Sequence, residues 1–478
     1  MLTLGFLLAA FLIAGVAIAS GFYVKKKSAS QSAGSFVIAG LILGTLGGGA
    51  TTVGTAQLAY VYGLSAMWYT VGSGLALFVL AFSFVNPLRK NGNPTLVGMI
   101  RDEYGDTAGY SASILNSLGT FINILSQLIS ASTVVLVFFP EATVVTTIAV
   151  SALFMALYVV FGGTKGAGMV GIVKLFLMYI SMVLCAVVAW RSLGGSAGTW
   201  EVLSGFRGPE GTSFLDPFAR GFGKDFGSLV SVLLGIITTQ TYAQAIFMGR
   251  RDKDAKVAAL FSGLMMPPLG FCGILVGLYM RSVTDPTVFL AKTALTQFAM
   301  THLSPFFGGL VLGTIFIACV GTGAGLALGV ASVLNRDIFA RIAARTVARL
   351  GSQNVTRMLI LAVLVLGCVL ASGPLGDMVL NFAYLSMALR GATVFAPLCF
   401  LLWARGRVPR RYAVASIIVA PLVDLFFTEI PALTRLLMGF DALFLSIAIA
   451  LAIMFYGLHV GKKRLHTETH SGELLKRS

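Results

Sequence analysis

The polar residues of this chain sit inside hydrophobic runs. Their types suit holding a small solute or ion rather than making bonds. The stretch Gly44–Tyr60, GTLGGGATTVGTAQLAY, carries Thr45, Thr51, Thr52, Thr55 and Gln57 among its glycines, in a segment apolar enough to cross a membrane. Each glycine weakens a helix by roughly 1 kcal/mol relative to alanine, so the run Gly47, Gly48, Gly49 favours a break. In hydrocarbon, broken backbone persists only where it is buried in protein or lines a polar cavity. Transporters build mid-membrane solute and ion sites this way. The other reading is a close-packed interface of small residues between helices.

Further polar groups follow at helical spacing. Asn116, Thr120, Asn123, Gln127 and Ser130 recur at steps of four, three, four and three, which places them on one helix face. They line a cavity or bond to a neighbouring helix. Lys174 lies about two turns, roughly 10 Å, into an apolar run, where an ionisable group is a functional candidate unless it snorkels to the surface. Gly235 and the run Thr238, Thr239, Gln240, Thr241 interrupt a second span. Gly321–Gly325 is small and polar, suited to close packing or ion coordination. Arg390 falls mid-span, at a cost of at least ~2.5 kcal/mol, and requires a partner: backbone carbonyls, Asp377, Asp424 or an anionic solute. No nucleophile–base set, phosphate loop or cluster of metal ligands stands out, and the five cysteines lack paired spacing. No enzymatic activity and no organic cofactor are expected.

The elements that position these groups follow from composition. The 478 residues are 57% hydrophobic and 11% charged, against about 25% charged in soluble proteins. This is an all-α polytopic membrane protein. Windows of about 20 apolar residues give thirteen spans, near 3–24, 35–60, 65–86, 109–138, 142–162, 167–192, 227–248, 257–281, 306–335, 358–373, 376–403, 411–430 and 440–460. Lys25–Lys27 directly after the first span read as a stop-transfer signal. With the N-terminus outside, 25 of the 34 lysines and arginines fall on the inner side and seven on the outer, as the positive-inside rule requires. The net charge of +16 is then a bilayer property that needs no nucleic-acid partner.

Two interrupted spans at matching positions of two five-helix sets point to an inverted repeat around a central site. The expected organisation is an extra helix in 1–30, a first repeat in 31–195, an external loop in 196–226, a second repeat in 227–405, two further helices in 406–460 and a cytoplasmic tail in 461–478. The segment PLRKNGNPTLVGMIRDEYG should hold a short interfacial helix, and Pro267 and Pro268 should kink the eighth span.

Four stretches resemble the sodium:solute symporter family, which has a LeuT-like fold: GTLGGGATTVGTAQLAYVYGLSAMWYTVG, GGTKGAGMVGIVK, QTYAQAIFMGRRDKDAKVAALFSG and DPTVFLAKTALTQFAMTHLSPFFGGLVLGTIFIACVGTGAGLALGVASVLNRDIF. The resemblance implies a sodium ion between the first and eighth core helices, held by the carbonyls of Gly44, Gly47 and Ala318 and by side chains at Gly321 and Thr322. Thr322 matches the family pattern. Gly321 lacks the hydroxyl, and Gly171 and Lys174 stand where the family often has Asp and Gln. Four alternatives remain open: sodium coupling through carbonyls and Thr322, replacement of sodium by a protonated Lys174, uncoupled sodium-independent exchange, or solute sensing without net transport.

The expected protein is an inner-membrane secondary transporter, with its C-terminus cytoplasmic, working by alternating access. Its solute-side candidates are Thr51, Thr52, Thr55, Gln57, Asn116, Asn123, Gln127, Thr239, Gln240 and Arg390. If Arg390 faces the cavity, it favours a carboxylate or amino acid. The sequence leaves the solute and the oligomeric state open.

Overall fold

The computed structural model describes residues 1–9, 33–93, 95–162, 167–339, 343–373 and 378–475. Most of the first expected span, the lysines at 25–27, Lys165 and Asp377 lie outside them. The first broken span consists of α1 (Ser35–Leu46), a wide turn over Ala50–Gly54 and α2 (Thr55–Tyr62). The chain turns at Gly63 (φ 59°), because a Cβ there would lie 2.5 Å from the Phe214 carbonyl oxygen. It returns as α3 (Trp68–Val79, continued to Asn91). Next come α4 (Asp106–Phe138), α5 (Val144–Gly162) and α6 (Ala167–Ser192). The second half comprises α7 (Phe222–Thr238), α8 (Gln240–Phe247), α9 (Asp252–Val283), α10 (Pro305–Val333), α11 (Ser352–Ala371) and α12 (Val379–Trp403). Helices α13 (Arg410–Glu429) and α14 (Ala442–Leu475) close the chain.

Every expected span from 35–60 onward coincides with a helix or a broken helix. Among the described residues, nine helices are long and apolar enough to cross a membrane, or ten when the α7–α8 pair counts as one span. Ser35–Leu46 and Val144–Val159 are shorter apolar helices. The expected second break is present: α7 and α8 meet at 47°, around Thr239 in extended geometry.

Both halves use the same pairing. Helix α1 packs on α6 and α7 packs on α12, so the first element of each half meets the fifth. Helix α4 lies between, against α10 and α12. The short helix Leu96–Tyr104 forms as expected, capped by the Thr95 hydroxyl accepting from the Gly98 amide. The segment expected as a plain external loop contains a helix of its own, Gly195–Gly205. Helix α9 runs through Pro267 and Pro268 as one element.

Candidate functional site

Glycines decide how the first break is packed. A Cβ on Gly44 would lie 2.6 Å from the Gly171 Cα, and one on Gly171 would strike the Gly40 carbonyl. Helices α1 and α6 therefore cross with their backbones in contact, as small residues allow between membrane helices. At the break, Gly47 lies under Met178, Gly48 under the Gln127 side chain and Gly49 against Ser130. The run of three glycines is thus both a helix breaker and a close-packing device. The two sequence readings are one feature.

This crossing brings Lys174 to the break. One helical turn from Gly171, its Nζ donates to the Gly44 carbonyl at 2.7 Å and to Thr322 Oγ1 at 2.6 Å. The side chain is only 5% exposed, so it does not snorkel. It ties α1, α6 and α10 together through the two groups that the family resemblance assigns to sodium. No acidic partner lies within ion-pair distance among the described residues. Gly321 offers no hydroxyl, and a Cβ there would meet Tyr158 only at 3.6 Å. Gly47 closes α1 through its amide to the Leu43 carbonyl, and Ala318 is buried in the continuous helix α10. A second cation about 4 Å from the Lys174 ammonium would be repelled by about 4 kcal/mol at an effective dielectric constant near 20. That corresponds to roughly a thousandfold loss of affinity. These residues do not fit a sodium ion while Lys174 is charged.

The polar stripe on α4 serves the same break. Gln127 Oε1 accepts the Gly49 amide at 2.9 Å, and its Nε2 donates to Asn123 Oδ1 at 3.4 Å. An amide freed by the helix break thereby gains its acceptor. Asn116 carries a buried Oδ1 with no partner. Thr51, Thr52 and Thr55 are fully buried and donate to carbonyls of the same broken span, at Leu46, Gly48 and Ala50. Gln57 accepts from the Val379 amide at the start of α12.

The second break has its own cation. Arg390 on α12 is 1% exposed. It donates to Thr239 Oγ1 at 2.7 Å, to the Ser386 carbonyl and hydroxyl, each at 3.0 Å, and to Met387 Sδ. Its stem passes over Gly119 of α4, where a Cβ would lie 2.8 Å from Arg390 Cγ. Of the partners considered, a backbone carbonyl is met, and Asp377 lies outside the described residues. Asp424 is not a partner, since both its carboxylate oxygens lack hydrogen bonds. Gln240 Oε1 accepts the Leu96 amide at 2.8 Å, capping the short helix Leu96–Tyr104.

Sequence reasoning missed the closure at the end of the bundle expected to face inward. Arg89 pairs with Asp252 at 2.5 Å and donates to the Ile246 carbonyl at the end of α8. Ala33 accepts from the Arg250 amide and donates to the Met248 carbonyl. Ser35 donates to Asp254 at 3.2 Å. In the sequence this basic loop marks topology and belongs to a stretch that carries the family resemblance. The acids interleaved in GRRDKDAK were the available signal.

Two helix breaks, each flanked by the fifth helix of its half, define a LeuT-like inverted-repeat membrane protein. This chain belongs to the sodium:solute symporter family, whose model matches residues 27–419. It is 24% identical over 370 residues to high-affinity choline transporter 1 of Drosophila melanogaster, covering 72% of this chain and 56% of that protein. It is 22% identical over 359 residues to the Homo sapiens high affinity choline transporter 1, covering 65% and 57%. The chain thus matches little more than half the length of these relatives. Among solved structures, a substrate-bound, outward-open Na+-coupled sialic acid symporter superposes with a TM-score of 0.73 at 15% identity, covering 96% of this chain and 97% of that one. A nucleobase-cation-symport-1 transporter gives 0.59 at 12% identity, covering 91% and 93%. These likenesses establish the fold.

Proposed function

We propose that this chain is a secondary transporter of a small organic solute, in which the proton on Lys174 takes the place of sodium as the coupling cation. The carrying observation is the Lys174 Nζ held between the Gly44 carbonyl and the Thr322 hydroxyl. The ammonium joins α1 to α10 as a bound ion would. The neutral amine has no charge and one donor fewer, so it holds them less firmly. Proton loss then favours the separation of α1 from α10 that releases solute. A ligand or charge shifts such an equilibrium only by its differential interaction with the two states, and this clasp supplies that difference.

The solute class follows from Arg390. The side chain is buried beside the second break without a carboxylate partner among the described residues. Together with Lys174 it makes the core of the bundle electropositive. This favours a carboxylate or amino acid over a quaternary ammonium such as the choline carried by the named relatives. Uptake into proteoliposomes, measured with carboxylates, amino acids and choline under separate proton and sodium gradients, tests both parts. Carboxylate accumulation driven by protons is expected. Choline accumulation that requires sodium refutes the reading.

A further inference from the structure

Away from both breaks, α7, α12, α13 and α14 enclose a cavity of about 300 Å³ at the end of the bundle expected to face outward. Asp424, Glu429 and Asp441 line it, together with Arg220 and Lys224. The chain is drawn together here by glycine. A Cβ on Gly223 would lie 2.7 Å from the Phe440 Cα, and one on Gly227 would lie 2.8 Å from the Asp441 carboxyl carbon. The start of α14 therefore rests directly on α7.

The charges in this cavity do not balance. Arg220 is already neutralised by Asp225, at 2.5 Å, with both side chains buried. It also donates to Ser65 and Ser228. That leaves Lys224 beside the half-buried Asp441, which accepts from the Leu443 amide, and the buried Asp424, while Glu429 is exposed at the rim. Asp424 is the sharpest case. It is 1% exposed, it lines the cavity, and neither of its oxygens has a hydrogen-bond donor. A buried carboxylate needs a counter-charge and donors, and among the described residues none lies within ion-pair or hydrogen-bond distance of Asp424.

A proton would neutralise Asp424, but its carboxyl would still face the cavity without a hydrogen-bond partner. A compact metal ion does not suit the spacing, since among the described residues no three acidic, His or Cys side chains converge on one point. The group that fits is larger than a metal ion, positively charged and rich in N–H donors. We propose that this cavity is a binding site for a small organic cation bearing a primary ammonium, with Asp424 receiving the ammonium and Asp441 and Glu429 lining its approach. The site is separate from the Lys174 clasp and does not depend on how that clasp works.

The test uses the purified full chain in detergent, following its unfolding midpoint against increasing methylammonium, tetramethylammonium or sodium chloride at fixed ionic strength. A ligand that binds the folded state raises the midpoint with concentration. Methylammonium should stabilise the wild type saturably, and more than tetramethylammonium, which has no N–H to donate. Asp424→Asn preserves shape and should weaken the apparent affinity by about 30-fold or more, as removal of a buried charge partner does. Asp441→Asn should weaken it several-fold, and Lys174→Gln should leave it unchanged. Equal responses to the three salts, a larger response to sodium, an undiminished response in Asp424→Asn or Asp441→Asn, or loss of the response in Lys174→Gln would overturn the assignment.

Discussion

Replacing Lys174 by Met removes the ammonium while roughly keeping the length of the side chain. The wild-type ammonium makes two charge-assisted hydrogen bonds, to the Gly44 carbonyl and Thr322 Oγ1, each worth about 1.5–3 kcal/mol. Against that, the variant no longer buries a charge, a relief of several kcal/mol. The two terms nearly cancel in global stability, and the unfolding midpoint should move only a few degrees. They do not cancel in the comparison of conformers, because the clasp exists only while α1 and α10 are apposed. Losing even one bond's worth of bias, about 1.5 kcal/mol, shifts the conformer ratio more than tenfold. In proteoliposomes, Lys174→Met should lose solute accumulation driven by a proton gradient while keeping downhill exchange. Adding Gly321→Ser restores the missing hydroxyl where a Cβ has ordinary clearance, 3.6 Å from Tyr158. The double variant Lys174→Met/Gly321→Ser should therefore acquire sodium-dependent uptake. Wild-type proton-driven accumulation in Lys174→Met, or a double variant blind to sodium, refutes the reasoning.

Other sites give independent outcomes. Gly49→Ala places a methyl group against the Ser130 side chain, so it should cost about 1–3 kcal/mol of stability and most of the transport; adding Ser130→Gly should recover part of both, read by thermal unfolding and uptake. Arg390→Gln should leave Thr239 with a weaker donor and reduce carboxylate affinity by more than tenfold, as loss of a charged hydrogen-bond partner does, measured by competition for uptake. Arg89→Ala removes the partly exposed pair with Asp252, worth up to about 1 kcal/mol; a cysteine placed at Ser35 should then react with a polar maleimide a few-fold faster.

Much of the architecture was legible because hydropathy and helix breakers act locally. The glycine run at Gly47 and the polar run at Thr238–Thr241 each mark a real interruption, and the apolar windows coincide with helices. The span count was less secure, since α1 is one part of a broken span and nine or ten crossings stand among the described residues. The partners of polar groups were harder to read, because they depend on which helices cross where. Gln127 looked like a cavity residue, yet its side chain serves the Gly49 amide. Gln240 looked central and instead caps Leu96. Lys174 was placed two turns into its helix, which left snorkelling open. Only the Gly44–Gly171 backbone contact shows why its amine reaches α1. Asp424 was considered as a partner of Arg390, and the structure separates them into different polar groups.

In the proposed mechanism a lysine ammonium stands where the family resemblance implies a sodium ion. The direct measurement is carboxylate or amino acid uptake by the wild-type protein in proteoliposomes with an inward proton gradient and no sodium, set against an inward sodium gradient at equal pH on both sides. The account predicts accumulation in the first condition and only equilibration in the second. Accumulation that requires sodium and ignores the proton gradient contradicts it.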